Sequence, residues 1–384
     1  GGLGNAFTTS GSETDSTNNV QPVVILSSDG NSNYQGAAGA AINTKYQRAP
    51  TAPNSYNGQG VGFNQYTSPS ALLKSWNLTV QRQLSESMLF DVGYIGSHET
   101  HLPFTTDINQ VPENLLAPND AKSRPYPEFQ SLTGYTTQGI SNYHAFQAEI
   151  TRRFKSGLMF NFNYTWSHLL DNQDSSGWGS LQGATPYQRA YAPMANYGPS
   201  NFDVRHMFKG YAAYDLPVGR GRRFVNNSKA LDTVIGGWKL FGDFIAQTGS
   251  PFTPSMQTNN SYALSSNALW YPNVVGDPTA VTGGQNINSW FNVSAFGAPT
   301  PGTFGNMGRN VLYGPKLSAI NMSLTKTFTF TERLRLDFTA NASNVLNHPS
   351  FALPDKTIGP GHRGQITGVS VGSRQMELVA KIRF

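Results

Sequence analysis

The chain of 384 residues is 13% charged, 38% hydrophobic and 12% aromatic, so it carries about half the ionic side chains of an ordinary soluble domain. Its lack of cysteine excludes disulfides, thiolate metal sites and thiol nucleophiles, and no run reaches the ~18 consecutive apolar residues that mark a membrane-spanning helix. The net charge of +5 is scattered and dense only at Arg220, Arg222 and Arg223, which fits a solvated turn and gives no nucleic-acid surface.

Residues 1–70 are rich in Gly, Asn, Ser and Pro and show no apolar period or leader-like basic and apolar run, so they read as an extracellular loop or disordered lead-in. From residue 71 the dominant signal is period-two alternation in runs of about ten residues. Trp76, Leu78 and Val80 alternate with Asn77, Thr79 and Gln81; after a turn at Ser85–Ser87, Phe90, Val92 and Tyr94 alternate with Asp91 and Gly93. Phe146, Ala148, Ile150 and Phe154 share one face, and Gln147, Glu149, Thr151 and Arg153 the other. Lys155-Ser156-Gly157 makes a turn into Leu158, Phe160, Phe162, Tyr164 and Trp166, which alternate with Met159, Asn161, Asn163 and Thr165. Strands follow at His206–Leu216, at Trp238–Ala246, from Ile320 to Phe328, and from Leu334 to Ala340. A last one carries Met376, Leu378, Ala380, Ile382 and Phe384, which makes nine.

Turns after the first, third and seventh strands are short, whereas the connections at roughly 99–141, 169–202, 247–315 and 345–372 are long and polar. The connection at 217–237 breaks the rule by being long on the short side. Long structureless loops argue against a compact soluble domain, and alternation of short turns with long loops is the habit of outer-membrane β-barrels. The fold expected is therefore all-β, an antiparallel up-and-down transmembrane barrel with apolar outside and polar inside. The soluble alternative is a β-sandwich, whose strands also alternate but are shorter and lack this loop asymmetry. A strand ending at Phe384 should end in the periplasm, and barrels of this kind close with even strand numbers. Nine strands thus predict either further strands before residue 1, making this a fragment of a larger barrel, or a tenth strand not visible as alternation.

At these strands the sequence resembles the C-terminal barrel of Oar-like TonB-dependent transporters of the acidobacterial type. The matching segments run in order: SWNLTVQRQL, FNYTWSHLLD, DVRHMFKGYAAYDLPVGRGRRF, IGGWKLFGDFIAQTGSPFTP, FNVSAFGAPTPGTFGNMGRNVLYGPK, LRLDFTANASNVLNHPSFALP and RQMELVAKIRF. The long run ending GNMGRN…GP, joined to NVLNHPSF, is the specific part, and the resemblance covers about residues 70–384. It implies a plugged barrel of about 22 strands, surrounded by outer-membrane lipid, with a TonB partner reached through a plug that this sequence does not contain. Ligand capture by extracellular loops would precede uptake, and the loop aromatics Trp270, Tyr271, Trp290 and Phe291 are candidate contacts to an unknown small ligand. Ala380, Ile382 and Phe384 resemble the terminal signal read by the barrel-assembly machinery, with Ile where an aromatic is usual. A passive porin-like channel and an adhesive surface protein are the alternatives.

Catalytic patterns are weak. Ser167, His168 and Asp171 are close in sequence, but neighbouring strand residues point to opposite faces, so they make no triad. Asp171 and Asp174, in a run that lacks the closing Glu of a calcium loop, leave a weak extracellular Ca²⁺ option. The seven histidines have no metal spacing, and no phosphate loop is present, so no enzyme and no cofactor are expected. Glu149, Arg153, Asp337, Glu377, Lys381 and Arg383 should line the barrel interior.

Overall fold

The computed structural model describes residues 57–384 except 66, 118–122, 175–186, 220, 225–228, 259–261, 264–268 and 332, together with three short strands before them, Phe7–Thr8, Val24–Leu26 and Ser32–Tyr34. Nine long strands form one sheet: β1 Leu72–Ser85, β2 Met88–Asp107, β3 Ser131–Lys155, β4 Leu158–Asp171, β5 His206–Asp215, β6 Lys239–Gln247, β7 Leu317–Thr329, β8 Arg335–Ser343 and β9 Gln375–Arg383. Each pairs antiparallel with the next in chain order, so the path is a plain up-and-down meander. The two-residue turn between β3 and β4 has positive φ at both Ser156 (55°) and Gly157 (81°). That is the signature of the two-residue hairpin turn whose twist matches the flanking strands.

Register makes the sheet two-faced. Phe160, Phe162, Tyr164 and Trp166 of β4 align with Arg152, Ile150, Ala148 and Phe146 of β3 and with Ala212, Gly210, Phe208 and His206 of β5. Further along, Phe244, Ile320, Leu324, Ala340 and Leu378 continue the same face. The Phe162 ring lies over Gly210, where a Cβ would strike it, and packs 5.8 Å from Phe244, whose ring is 4.7 Å from Phe208. On the other face, Asp91, Glu149, Asp243, Asp337 and Glu377 meet Gln81, Asn163, Asn321, Lys381 and Asn341. No Asp or Glu of the nine strands shares the apolar face. The apolar side chains stay open: Leu78 and Met376 are 69% exposed and Trp166 is 55% exposed. A sandwich would bury that face against a second sheet; here no second layer covers it among the described residues.

The hydrophobic core sits at the long-loop end instead. Phe252, Tyr271, Phe291, Ala295, Phe296, Met307, Leu312 and Ile358 form one buried cluster, and Phe104, Tyr187 and Ala190 another. Loops facing water must bury their own apolar groups, each contributing roughly 1.5–3 kcal/mol, whereas the sheet presents its apolar face outward.

Two expectations need correction. The connection expected at 99–141 is shorter, because β2 runs to Asp107 and β3 begins at Ser131. These extensions are polar, threonine-rich and interrupted by register shifts after Glu99 and Leu102, so they have no apolar alternation to reveal them. Within residues 1–70, Gly60–Asn64 is a strand that pairs in parallel with Ser131–Tyr135, and Phe7–Thr8 pairs with it in turn. The remainder of residues 1–56 lies outside the described residues. The exceptional connection at 217–237 carries the helix α1, Lys229–Ile235. Lys326 on the apolar face reaches back to it, donating to the carbonyls of Gly236 (2.5 Å) and Asp232 (3.3 Å) while lying over the rings of Trp238 and Phe328.

Candidate functional site

Two features on this frame can meet a ligand: the polar face of the sheet and the loop assembly above it. On the polar face, Asp91, Glu149 and Lys209 border a recess of about 330 Å³ at the middle of β2–β5. Glu149 accepts from Thr151 Oγ1 (3.0 Å) and Asn161 Nδ2. At the short-turn end of the same face Arg383 Nε lies 2.6 Å from Asp337, and towards the long-loop end Asn341 donates to Glu377 (3.1 Å). The charged residues expected inside a barrel at Glu149, Asp337, Glu377, Lys381 and Arg383 therefore share one face.

The loop assembly is organised by Arg309, whose side chain is fully buried. Its Nη2 donates to the carboxylate and carbonyl of Asp171 and to the Gly198 carbonyl, and Nη1 lies 3.4 Å from Asp174. Next to it Asn310, at φ 55°, donates to the Pro199 carbonyl (2.7 Å) and Asn201 Oδ1 (3.0 Å) and exchanges two bonds with Thr253. Asparagine tolerates this left-handed conformation better than most residues. Gln188 binds the Gly305 carbonyl and the Tyr271 amide, and Tyr271 donates its hydroxyl to Asn196 (2.7 Å). Residues 188–201 and 253–310 are thus locked together from both sides. Burial pushes the Tyr271 phenol far above its ordinary range, keeping it a neutral donor. Sequence reasoning missed Arg309 and Asn310, since a hub of this kind has no period. The only available signal was a lone arginine in a glycine-rich, charge-poor run.

The structure separates the four candidate loop aromatics. Tyr271 and Phe291 are each 2% exposed and belong to the loop core, which corrects the idea that both present their rings to a ligand from outside. Trp270 is half-buried beside Met256. Trp290 donates its indole N–H to the Tyr313 carbonyl (2.9 Å) and, with one edge of Phe291, borders a cavity of about 900 Å³. At the other end, Ala380 and Ile382 stand on the apolar face of β9 opposite Phe338 and Leu336, and Phe384 is 99% exposed beyond the strand.

No triad is assembled. Ser167 Oγ donates to the Val204 carbonyl, His168 lies between Asp203 (3.3 Å) and Arg205 Nη2 (2.9 Å), and Asp171 is held by Arg309. The same guanidinium occupies the Asp171–Asp174 pair that a calcium ion would need. Residues 175–180 of that run lie outside the described residues.

Among solved structures, the chain is similar to the outer membrane transporter YddB from Escherichia coli, at 10% identity over 85% of this chain and 34% of that one, with a TM-score of 0.45. It is also similar to the ferripyoverdine receptor of the outer membrane of Pseudomonas aeruginosa, at 10% identity over 82% and 27%, with a TM-score of 0.39. The chain spans about a third of the length of these relatives. No curated protein matches the sequence. The sequence profile of the family described as outer membrane beta barrel domain matches residues 1–377, nearly the whole chain. With its two-faced nine-stranded meander, the protein belongs to that family and is an outer-membrane β-barrel protein.

Proposed function

We propose that the chain is the ligand-receiving barrel part of a TonB-dependent outer-membrane transporter of the Oar-like type, acting by binding and transport and not by catalysis. The observation that carries this reading is the stacking of a rigid, internally bonded loop assembly above a charged, polar sheet face. A wide pore for passive diffusion needs no buried guanidinium to hold its loops in one arrangement. A receptor does, because preorganised loops lose less entropy when a ligand binds. The ordered sequence resemblance over residues 70–384 supports the same reading. The plug and the TonB contact belong, on this reading, to segments outside this sequence. Of the loop aromatics, Trp290 and Phe291 border the large cavity among the loops.

The test is uptake by cells whose own copy of the gene is deleted and replaced by the wild type or by Arg309→Ala. Labelled candidate ligands should accumulate only with the wild type and only while TonB is energised. Uptake that continues without TonB would indicate a porin-like channel, and surface attachment without any uptake an adhesive protein.

A further inference from the structure

The 900 Å³ cavity reaches the apolar face of the sheet, the side turned away from the barrel interior. The β6–β7 ladder continues upward without a slip: Gln247 faces Leu317, and five residues on Phe252 faces Leu312. Thr248, Phe252, Leu312, Gly314 and Lys316 therefore keep the side taken lower down by Phe244, Ala246, Ser318 and Ile320, the apolar side. All five border the cavity, and so do Gly249, Val311, Tyr313 and Pro315 from the alternate positions, so it wraps the end of the ladder and reaches the apolar side at His206. A Cβ on Gly314 would collide with Leu353, so the chain around residues 348–353 is packed against that same side.

The neighbouring wall fixes its depth. His206, which borders the cavity, shares the apolar face of β5 with Phe208. Its ring stacks on exposed Trp166, with centroids 6.4 Å apart and planes 5° apart, and its Nδ1 lies 2.8 Å from the Tyr164 hydroxyl. Tryptophan and tyrosine on the lipid side of a barrel gather at the level of the headgroups. The cavity mouth is at that level, above the hydrocarbon band.

Its chemistry is one-sided. Arg205, His206, Lys316 and His348 border it, Trp290 and Phe351 supply apolar walls, and no carboxylate is among its described bordering residues. The two nearby acids are engaged elsewhere. Asp203 accepts from the Leu169 amide (2.8 Å) and lies 3.5 Å from Arg205 Nε. Asp277 accepts from the Thr279 amide and hydroxyl (2.8 and 2.7 Å). Asp203 offsets Arg205, so the cation left without a carboxylate among the described bordering residues is Lys316.

We propose that this cavity binds an acylated, phosphorylated lipid of the outer leaflet, with the headgroup phosphate at Lys316 and His206 and the apolar part against Trp290 and Phe351. A soluble anion would gain nothing from a mouth at the lipid boundary, whereas a membrane amphiphile is already concentrated there. Each basic side chain near a membrane surface contributes about five- to tenfold to anionic lipid affinity, so a cluster on one wall gives headgroup selectivity.

The full-length protein, extracted in detergent and stripped of lipid, is titrated with diphosphorylated lipid A, with its dephosphorylated counterpart, and with inorganic phosphate as competitor. The phosphorylated form should bind at least about tenfold more tightly, and Lys316→Gln should remove most of that preference, by the same per-cation factor. Heat-modifiable gel mobility, a readout of the closed barrel, should be unchanged in the variant, and Arg222→Gln at the opposite end should bind like wild type. Equal affinity for the two lipids, or an unaltered preference in folded Lys316→Gln, would overturn the proposal. Displacement by inorganic phosphate at the same concentration as the lipid would overturn its lipid half, leaving a phosphate site.

Discussion

Arg309 is the residue on which the loop assembly depends most. Two carboxylates, Asp171 and Asp174, converge on its guanidinium in a space closed to water. Removing one partner of a buried ion pair leaves the other charge uncompensated, at a cost of about 3–5 kcal/mol. Arg309→Ala should therefore make residues 172–205 and 248–316 sensitive to protease added outside the cell, while the strands remain protected; an unchanged cleavage pattern would show that the hub is dispensable. A second local pair is pH-dependent. Burial raises the Asp355 carboxyl, but hydrogen bonds from His362 (2.5 Å) and Thr357 outweigh that and hold it below its ordinary value. A depressed carboxylate contributes stability above its unfolded pKa of about 3.9, and that contribution is lost as pH falls through the lower folded value. Amide protection factors in 345–372, corrected for the intrinsic exchange rate, should accordingly be flat from neutral pH down to about 5 and fall below about 4, and Asp355→Asn should abolish the fall. Neither residue was legible beforehand: both act through contacts between segments far apart in sequence. The positions of Ala380 and Ile382 on β9 were readable because strand alternation alone places them.

The strands were the legible elements, because a membrane imposes a strict rule on them. Every second side chain must suit hydrocarbon, and the next must suit water or polar protein. Asn161, Phe162, Asn163 and Tyr164 obey it one by one, and register across β3, β4 and β5 preserves it. Phe162→Arg should destabilise the folded barrel in lipid by about 2–4 kcal/mol, and Asn163→Arg by much less, as read from urea titration of the barrel in vesicles. Equal losses at the two positions would refute the assignment of faces. The upper halves of β2 and β3 escaped the same reading because, beyond the hydrocarbon, nothing selects for apolar alternation. Thr105, Thr106, Thr133 and Thr136 form strand there through backbone pairing and polar side-chain bonds such as Thr106 Oγ1 to the Ala190 carbonyl. The long connection at 217–237 was visible as an anomaly, but its helix α1 and the Lys326 tether were not, since a seven-residue helix is too short to show a period.

At the scale of the molecule, hydrophobic burial is inverted relative to a soluble protein. The core lies in the loops, and the sheet carries its apolar groups on the outside. Length, low charge and the pairing of short turns with long loops were enough to anticipate this, since few other architectures reconcile them. The edge strands β1 and β9 are exposed along their whole lengths, and neither has a partner on its outer side among the described residues. Unpaired edges are not tolerated in hydrocarbon, so in the membrane both must find a strand partner. The absence of cysteine from these 384 residues simplifies the decisive measurement. Single cysteines placed from 160 to 165 of β4, and likewise in β1 and β9, are spin-labelled in the full-length protein in lipid and exposed to oxygen or to a water-soluble nickel chelate. The account predicts a strict alternation: labels at 160, 162 and 164 relaxed by oxygen, and those at 161, 163 and 165 by the chelate or by neither. Relaxation by the chelate at every position would contradict it, showing a sheet that stands in water on both sides.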